Sequence, residues 1–408
     1  MKVLLINKFW RQAGGVEVHA ERVSQWLHNR GHEVVPFAMR EDETIDNEYL
    51  EYFPSHVEFR AEGVRDTIKG VSRATLSHDS RRSLRALIAQ EKPEAAYVLH
   101  VYHQLGTAIL NELRDAGVPM VLSIHDYKVG CPNYRLYSEK TGSVCTSCLE
   151  SKWASVYEPT LKGCWSGSRK AGIALGLEAA LTKMRKSYQL PGSVTTLNAL
   201  QERAAMHNGI ARDRIVRVPH PVELEKPRTS VHPDAPFLYL GRLVPEKGVD
   251  VLLRAAAHTG ARIVVAGDGR SRPDLEQLAR ELSVDADFVG QVNQEAGAGL
   301  LRQARALVVP STWHEVSPLV VLEAIANDVP VVASRMGGMT DQLEGGRGFL
   351  FTAGDAQGLS QALKRIQEDP EHAQERSRVA RRFASENWSV RKWEEAMQNA
   401  FRLAGVPI

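Results

Sequence analysis

Five prolines, Pro219, Pro221, Pro227, Pro233 and Pro236, crowd into residues 219–236. Proline breaks helix interiors and is shut out of central strands, so the stretch reads as a linker. On both sides of it one pattern repeats: short apolar run, glycine turn, amphipathic helix, next apolar run. That order builds a parallel sheet wound on both faces. The chain is therefore expected to be α/β, with two doubly wound Rossmann-like domains facing across a cleft. The linker places the domains at 1–224 and 225–387, and a length of 408 residues suits two.

In the first domain, Lys2-Val3-Leu4-Leu5-Ile6 reads as a buried strand. Val16, Ala20, Val23, Trp26 and Leu27 then mark one helical face, with Gly14-Gly15 at the helix start. Two glycines there let backbone approach a phosphate, or simply turn the chain. They do not form a G-x-G-x-x-G fingerprint and give no case for a nicotinamide cofactor. Residues Glu41 to Arg85 are irregular and charged, and read as loops and helices at the edge of the first domain. The strand Pro119–Ile124 ends in His125-Asp126. Ligands of open parallel sheets bind beyond the carboxyl ends of strands, so His125 stands where chemistry happens. The plainer reading is a histidine that bonds a neighbouring loop.

All four cysteines follow closely: Cys131, Cys145, Cys148 and Cys164. A C-x2-C inside one short window suggests a tetrahedral thiolate zinc site, which would be structural because four thiolates leave no open position. Metal-free thiols and a disulfide or redox switch are the other readings. Residues 152–186 then carry seven Lys or Arg, against Glu158 and Glu178, interleaved with Trp153, Tyr157 and Trp165. Such a stretch lies on an anionic membrane surface or forms an ordinary helix with a solvated basic face.

The second domain offers the richer pattern. Its first strand, Phe237–Leu240, ends in Gly241-Arg242-Leu243-Val244-Pro245-Glu246-Lys247-Gly248. Two cations between a strand end and a helix suit a diphosphate. A later strand, Ala306–Pro310, leads into His314-Glu315-Val316-Ser317-Pro318-Leu319-Val320-Val321-Leu322-Glu323. Ser317 followed by Pro318 predicts a capped helix start with the backbone N–H groups of Leu319 and Val320 directed at an anion. Glu315 falls in the loop before that helix. Glu323 falls inside it, in an apolar run that predicts burial.

Gly241-Arg242-x4-Lys247-Gly248 followed by Glu315-x7-Glu323, with Gly14-Gly15 and His125-Asp126 upstream, resembles the family 4 retaining glycosyltransferases of GT-B fold. The resemblance runs over nearly the whole chain. The cysteine segment is similar to that of a subset associated with bacterial capsule, exopolysaccharide and lipopolysaccharide synthesis. The family implies a nucleoside-diphosphate sugar as donor, held without a catalytic metal. Arg242 and Lys247 would hold the diphosphate, Glu315 the sugar hydroxyls, and Leu319 and Val320 sugar and phosphate. Glu323 would take the ribose, Val292 would lie near the base, Gly15 would pass close to the phosphate, and His125 would sit near the reacting sugar. The helix within 388–408 would return to the first domain. The acceptor implied is a glycan or lipid-linked glycan. A GT-B sugar-nucleotide epimerase and a non-catalytic nucleotide-sugar-binding subunit are the alternatives.

A formal net charge of +2 gives no case for nucleic acid. No apolar run is long enough to span a bilayer, and the opening residues lack a signal-peptide pattern. The expectation is a cytoplasmic protein, at the inner face of the plasma membrane where it meets lipid.

Overall fold

The computed structural model describes residues 1–11, 14–56, 77–165, 167–228, 232 and 234–408. Residues 57–76 of the charged stretch, and 229–231 and Pro233 of the linker, lie outside them. The chain forms two compact units. The first comprises Met1–Thr141, Cys145–Val218 and Glu394–Ile408; the second comprises Gly142–Val144 and Pro219–Trp393.

The sheet of the first unit contains β1 (Lys2–Ile6), β2 (Glu33–Phe37), β3 (Ala95–Val98) and β4 (Met120–Ser123). After two short strands, β5 (Tyr137–Ser138) and β6 (Ser143–Val144), it is completed by β7 (Ser193–Thr196) and β8 (Ile215–Arg217). All neighbours are parallel, in the order β2-β1-β3-β4-β7-β8. Parallel strands must be covered on both faces, which explains why β3, β4 and β7 are buried along their whole length.

The second unit holds β9 (Phe237–Leu240), β10 (Ile263–Ala266), β11 (Ala286–Gly290), β12 (Ala306–Val309), β13 (Val331–Ser334) and β14 (Phe349–Phe351). These too are parallel, in the order β11-β10-β9-β12-β13-β14. Winding proceeds one way from β9 to β11 and then reverses from β9 to β12. The loops after β9 and β12 thus flank a crevice at the carboxyl edge, the place where such sheets take ligands. Those two loops carry Arg242, Lys247 and Glu315.

The chain's last helix, Val390–Leu403, joins the first unit from Glu394 onward. Met397, Ala400 and Phe401 are fully buried. The Phe401 ring stacks on Tyr97 of β3 at 5.8 Å, and Ser193 Oγ donates to the Ala400 carbonyl at 2.6 Å.

Several elements depart from the sequence expectation. The helix His78–Glu91 runs past the Arg85 end of the stretch read as edge structure and puts Leu84 and Leu87 in the core. Phe349–Phe351 is a sheet strand not picked out from the sequence. Three residues carry too little periodicity to announce a strand. Among the described residues no helix is long and apolar enough to cross a membrane.

Phe401 gives a test of how far the last helix belongs to the first unit's core. Truncating a fully buried phenylalanine costs about 3–5 kcal/mol. Phe401→Ala should lower the unfolding free energy by that amount in chemical denaturation, and a loss under about 1 kcal/mol would contradict the packing described.

Candidate functional site

In the second unit, Pro245–Lys247 forms one 3-10 turn and Gly248 begins the helix Val249–Ala257. Gly248 has φ of 66°, and a Cβ there would stand 2.2 Å from the Pro310 carbonyl. Only glycine lets the β9 loop close against the end of β12 this tightly. The closure sets Lys247 against Glu315: Nζ lies 2.6 Å from Oε1. Ser311 Oγ and Trp313 Nε1 donate to the same oxygen at 2.7 and 2.8 Å. The Glu315 backbone is pinned as well, since its carbonyl accepts from Gly338 N–H at 2.7 Å.

Burial pushes the Glu315 carboxyl upward, but the Lys247 charge and the bonds from Lys247, Trp313 and Ser311 outweigh it. The net effect lies below the ordinary glutamate value, so Glu315 is a fixed anion and an acceptor for hydroxyls. Ser311 and Trp313 were not singled out from the sequence. They sit in the loop before Glu315, where nothing but proximity to the acid marks them.

The helix after this loop is Leu319–Ala326, and its N-cap is Pro318, not Ser317. The Ser317 hydroxyl instead accepts from Gln342 Nε2 at 3.2 Å. Val321 N–H returns to the Pro318 carbonyl at 3.1 Å. Leu319 and Val320 occupy the first two helical positions, and their N–H groups have no acceptor among the described residues. Glu323 is exposed, contrary to the burial expected from its apolar neighbours. An eight-residue helix buries Val321, Leu322, Ala324 and Ile325 and turns position 323 outward. Desolvation still lifts the Glu323 carboxyl above its ordinary value. Arg242 is exposed and has no carboxylate partner among the described residues. Val292 is half-buried just past β11, beside Asn293, which caps the helix Gln294–Gln303.

In the first unit, Gly14 is the N-cap of the helix Gly15–Asn29, and its carbonyl accepts from Val18 N–H. Gly15 is the first helical residue. His125 is buried two residues beyond β4. Its Nε2 is 2.9 Å from Ser123 Oγ, and Ser123 Oγ also receives Tyr97 OH at 2.9 Å and Thr195 Oγ1 at 2.8 Å. With Tyr97 and Thr195 both donating to that oxygen, the serine's own proton is left for His125 Nε2. Tyr97, having spent its proton on Ser123, accepts from His19 Nε2 at 2.9 Å. The His19 and His125 rings lie 4.5 Å apart. His19 belongs to the first helix and is buried beside its apolar stripe, where a polar residue gives no periodic signal.

Asp126, next to His125, is pushed up to about 7 by burial, against the Lys128 N–H and the charges of Lys8 and Lys128. Further along the same loop, Lys128 Nζ bonds Glu178 Oε2 at 2.7 Å, and His103 Nδ1 reaches the same oxygen at 3.1 Å. Burial alone would raise the Glu178 carboxyl; the His103 and Lys128 contacts bring it down to about 2. His103 is itself held below its ordinary value by burial, so near neutral pH the ion pair is Lys128–Glu178 and His103 contributes a hydrogen bond.

The zinc centre that the cysteine spacing suggests is not shown. Among the described residues no three His, Cys, Asp or Glu side chains are arranged to hold a metal ion. All four thiols are free, which also disposes of the disulfide reading. Cys131 Sγ turns to Asn133 Oδ1 at 2.9 Å, Cys145 lies 3.7 Å from Lys162 Nζ, and Cys164 lies 3.9 Å from the Glu158 carbonyl. Spacing brought the thiols into one neighbourhood, where Cys148 raises no free anion of its own because Cys131 and burial push its thiol up.

Two parallel, doubly wound sheets, the second with its loops gathered at a strand-order reversal, define the GT-B class of fold. Residues 223–383 match the family "Glycosyl transferases group 1" and residues 13–144 match "Glycosyltransferase Family 4". Together the matches take in more than half of the chain, which belongs to glycosyltransferase family 4. Among curated proteins, a glycogen synthase of Mycobacterium tuberculosis is 35% identical over 190 residues, 45% of this chain and 44% of that protein. The match thus spans less than half of that relative's length. The alpha-D-kanosaminyltransferase of Streptomyces kanamyceticus is 27% identical over 310 residues, 72% of each. Among solved structures, an Anabaena protein in complex with UDP aligns with a TM-score of 0.65 at 16% identity, covering 98% of this chain and all of that one. At that identity the likeness shows the fold.

The buried Lys128–Glu178 pair yields a pH signature. Breaking such a pair costs about 3–5 kcal/mol, so Glu178→Gln should destabilise the chain by roughly that amount at pH 7. A carboxyl depressed to about 2 stabilises the fold above the unfolded value of 4.5, and that contribution drains away as pH falls from 4.5 toward 2. The gap between the native and variant unfolding curves should close over that window; a gap constant from pH 7 to pH 3 would refute the assignment.

Proposed function

We propose that this chain transfers a sugar from a nucleoside-diphosphate sugar to an acceptor with retention of configuration, the acceptor being a glycan or lipid-linked glycan of cell-surface polysaccharide. The observation that carries the donor half is the Lys247–Glu315 pair at the strand-order reversal, set beside two N–H groups without acceptors at Leu319 and Val320. Family membership and the UDP bound by the Anabaena structure support the same reading. Arg242, Lys247 and the two N–H groups would take the diphosphate, where negative charge grows as the glycosidic bond breaks. Donors preorganised toward such charge are the largest single source of catalysis in many enzymes, each worth about 3–4 kcal/mol. Glu315, held ionised, would accept from sugar hydroxyls, and the exposed Glu323 from the ribose. From the first unit, Gly14 and Gly15 would lie close to the phosphate and His125 near the reacting sugar. No step is assigned to a metal.

We place residues 152–186 on an anionic membrane surface. Trp153, Tyr157 and Leu161 are exposed and recur every fourth residue, and Ile173 and Leu177 do the same on the next helix. Lys152, Lys170 and Lys186 are exposed among them. Apolar stripes edged by lysine suit the lipid interface. Sedimentation with vesicles rich in anionic lipid should carry the chain down at low salt and release it at high salt; equal partition onto neutral vesicles would contradict this.

Calorimetric titration with nucleoside-diphosphate sugars tests the donor site. Lys247→Ala and Glu323→Ala should each weaken binding by about tenfold or more, the scale of a lost charge-assisted hydrogen bond. Unchanged affinity in both would remove the proposed site. In the same series His125→Ala should cut turnover more than donor affinity.

A further inference from the structure

A cavity of about 290 Å³ lies wholly within the first unit, behind the loop that follows His125. It uses none of the residues assigned to the donor. Its wall includes Lys128, Glu178 and Ser155, all more than nine-tenths buried. Lys152, Lys183 and Lys186 complete the charged part of the lining.

Two polar atoms on this wall lack partners. Glu178 Oε2 is taken by Lys128 and His103, but its Oε1 is buried with no hydrogen bond, and so is Ser155 Oγ. A buried polar atom left unpaired costs about 1–3 kcal/mol, so two on one wall point to groups that arrive from outside. Glu178 Oε1, on an ionised carboxylate, can only accept; it calls for a hydroxyl or amine. Ser155 Oγ can do either.

The charge balance adds the second half. Glu178 is the acidic residue of the lining, and Lys128 already neutralises it. Lys152, Lys183 and Lys186 have no carboxylate within ion-pair distance among the described residues. Lys183 Nζ bonds the neutral Asn208 Oδ1 at 2.7 Å, and burial presses its ammonium below the ordinary lysine value. An anion in the cavity would relieve that cost and meet up to three cations.

We infer that this cavity is a binding site for a small polyhydroxylated anion, a sugar phosphate or sugar acid, with hydroxyls on Glu178 and Ser155 and the negative group on Lys152, Lys183 and Lys186. The inference stands apart from the donor reading, because its residues belong to the other unit.

Calorimetry on the full chain tests it with four probes: glucose 6-phosphate, glucuronate, inorganic phosphate and glucose. One of the first two should bind more tightly than either phosphate or glucose, and which one it is separates a phosphate ester from a carboxylate. Lys183→Ala should weaken that binding by about tenfold or more, and Ser155→Ala by less, since the first removes a charged partner and the second a neutral one. Circular dichroism and thermal melting confirm that both variants fold. Lys247→Ala, in the second unit, should leave the affinity unchanged. Failure of both sugar anions to bind, undiminished affinity in Lys183→Ala, or loss of binding in Lys247→Ala would each overturn the assignment. Inorganic phosphate binding as tightly as glucose 6-phosphate would overturn the hydroxyl contacts.

Discussion

Everything proposed for the second unit depends on one topological constraint: the sheet reverses its winding between β9 and β12. A sheet wound in one direction covers each strand end with the next crossover. At a reversal the two crossovers depart to opposite sides, and the loops after β9 and β12 are left facing one another. The contact of Gly248 with Pro310 shows how closely they meet. Without that closeness Lys247 would be one more solvated lysine, and Glu315 a buried carboxyl with a raised affinity for protons. Together they hold a cation and an anion in place before any ligand arrives. Surroundings that need not reorganise when charge develops are what make such a site effective.

The first unit solves a different electrostatic problem. Its polar groups sit at strand ends inside a core, where an unpaired donor or acceptor is costly. Tyr97, Ser123, Thr195, His19 and His125 settle this as one connected hydrogen-bonded set centred on the Ser123 hydroxyl and Tyr97 OH. The set orients the imidazole at position 125. Lys128 and Glu178 are handled by mutual neutralisation instead, at a depth where neither would be stable alone.

Much of this was legible in the sequence, and the pattern of misses is physical. Strands with four or five apolar residues between glycine turns announced themselves, because parallel sheets demand burial on both faces. So did Lys247 and Glu315, because charged residues at strand ends stand out against that background. His19 did not, since a polar residue at the edge of a helix's apolar stripe looks like ordinary amphipathicity. Phe349–Phe351 was too short to register, and its pairing with β13 comes from tertiary context. The cysteines mark the limit of spacing arguments: sequence separation fixes which thiols can meet, whereas the direction of each Sγ is decided by neighbours such as Asn133 and Lys162. Glu323 shows the same limit in reverse. Its apolar neighbours suggested burial, but a helix needs only part of its circumference covered.

Pro318 is where the sequence expectation and the structure part most usefully. A serine at the N-cap would spend its hydroxyl on the helix's own second or third N–H. A helix start capped that way has already used part of its capacity for anions. Here proline takes the cap position and has no side-chain oxygen to offer, while Ser317 is drawn away to Gln342. The N–H groups of Leu319 and Val320 are therefore left unspent. Proline also lacks an N–H of its own, so the row of donors begins one residue later than a serine start would give. The helix is less well capped, and the difference is recovered only when something negative occupies its end. A locally imperfect cap thus leaves two backbone donors free at a helix start just beyond the anchored Glu315 loop, which is what the proposed donor site requires.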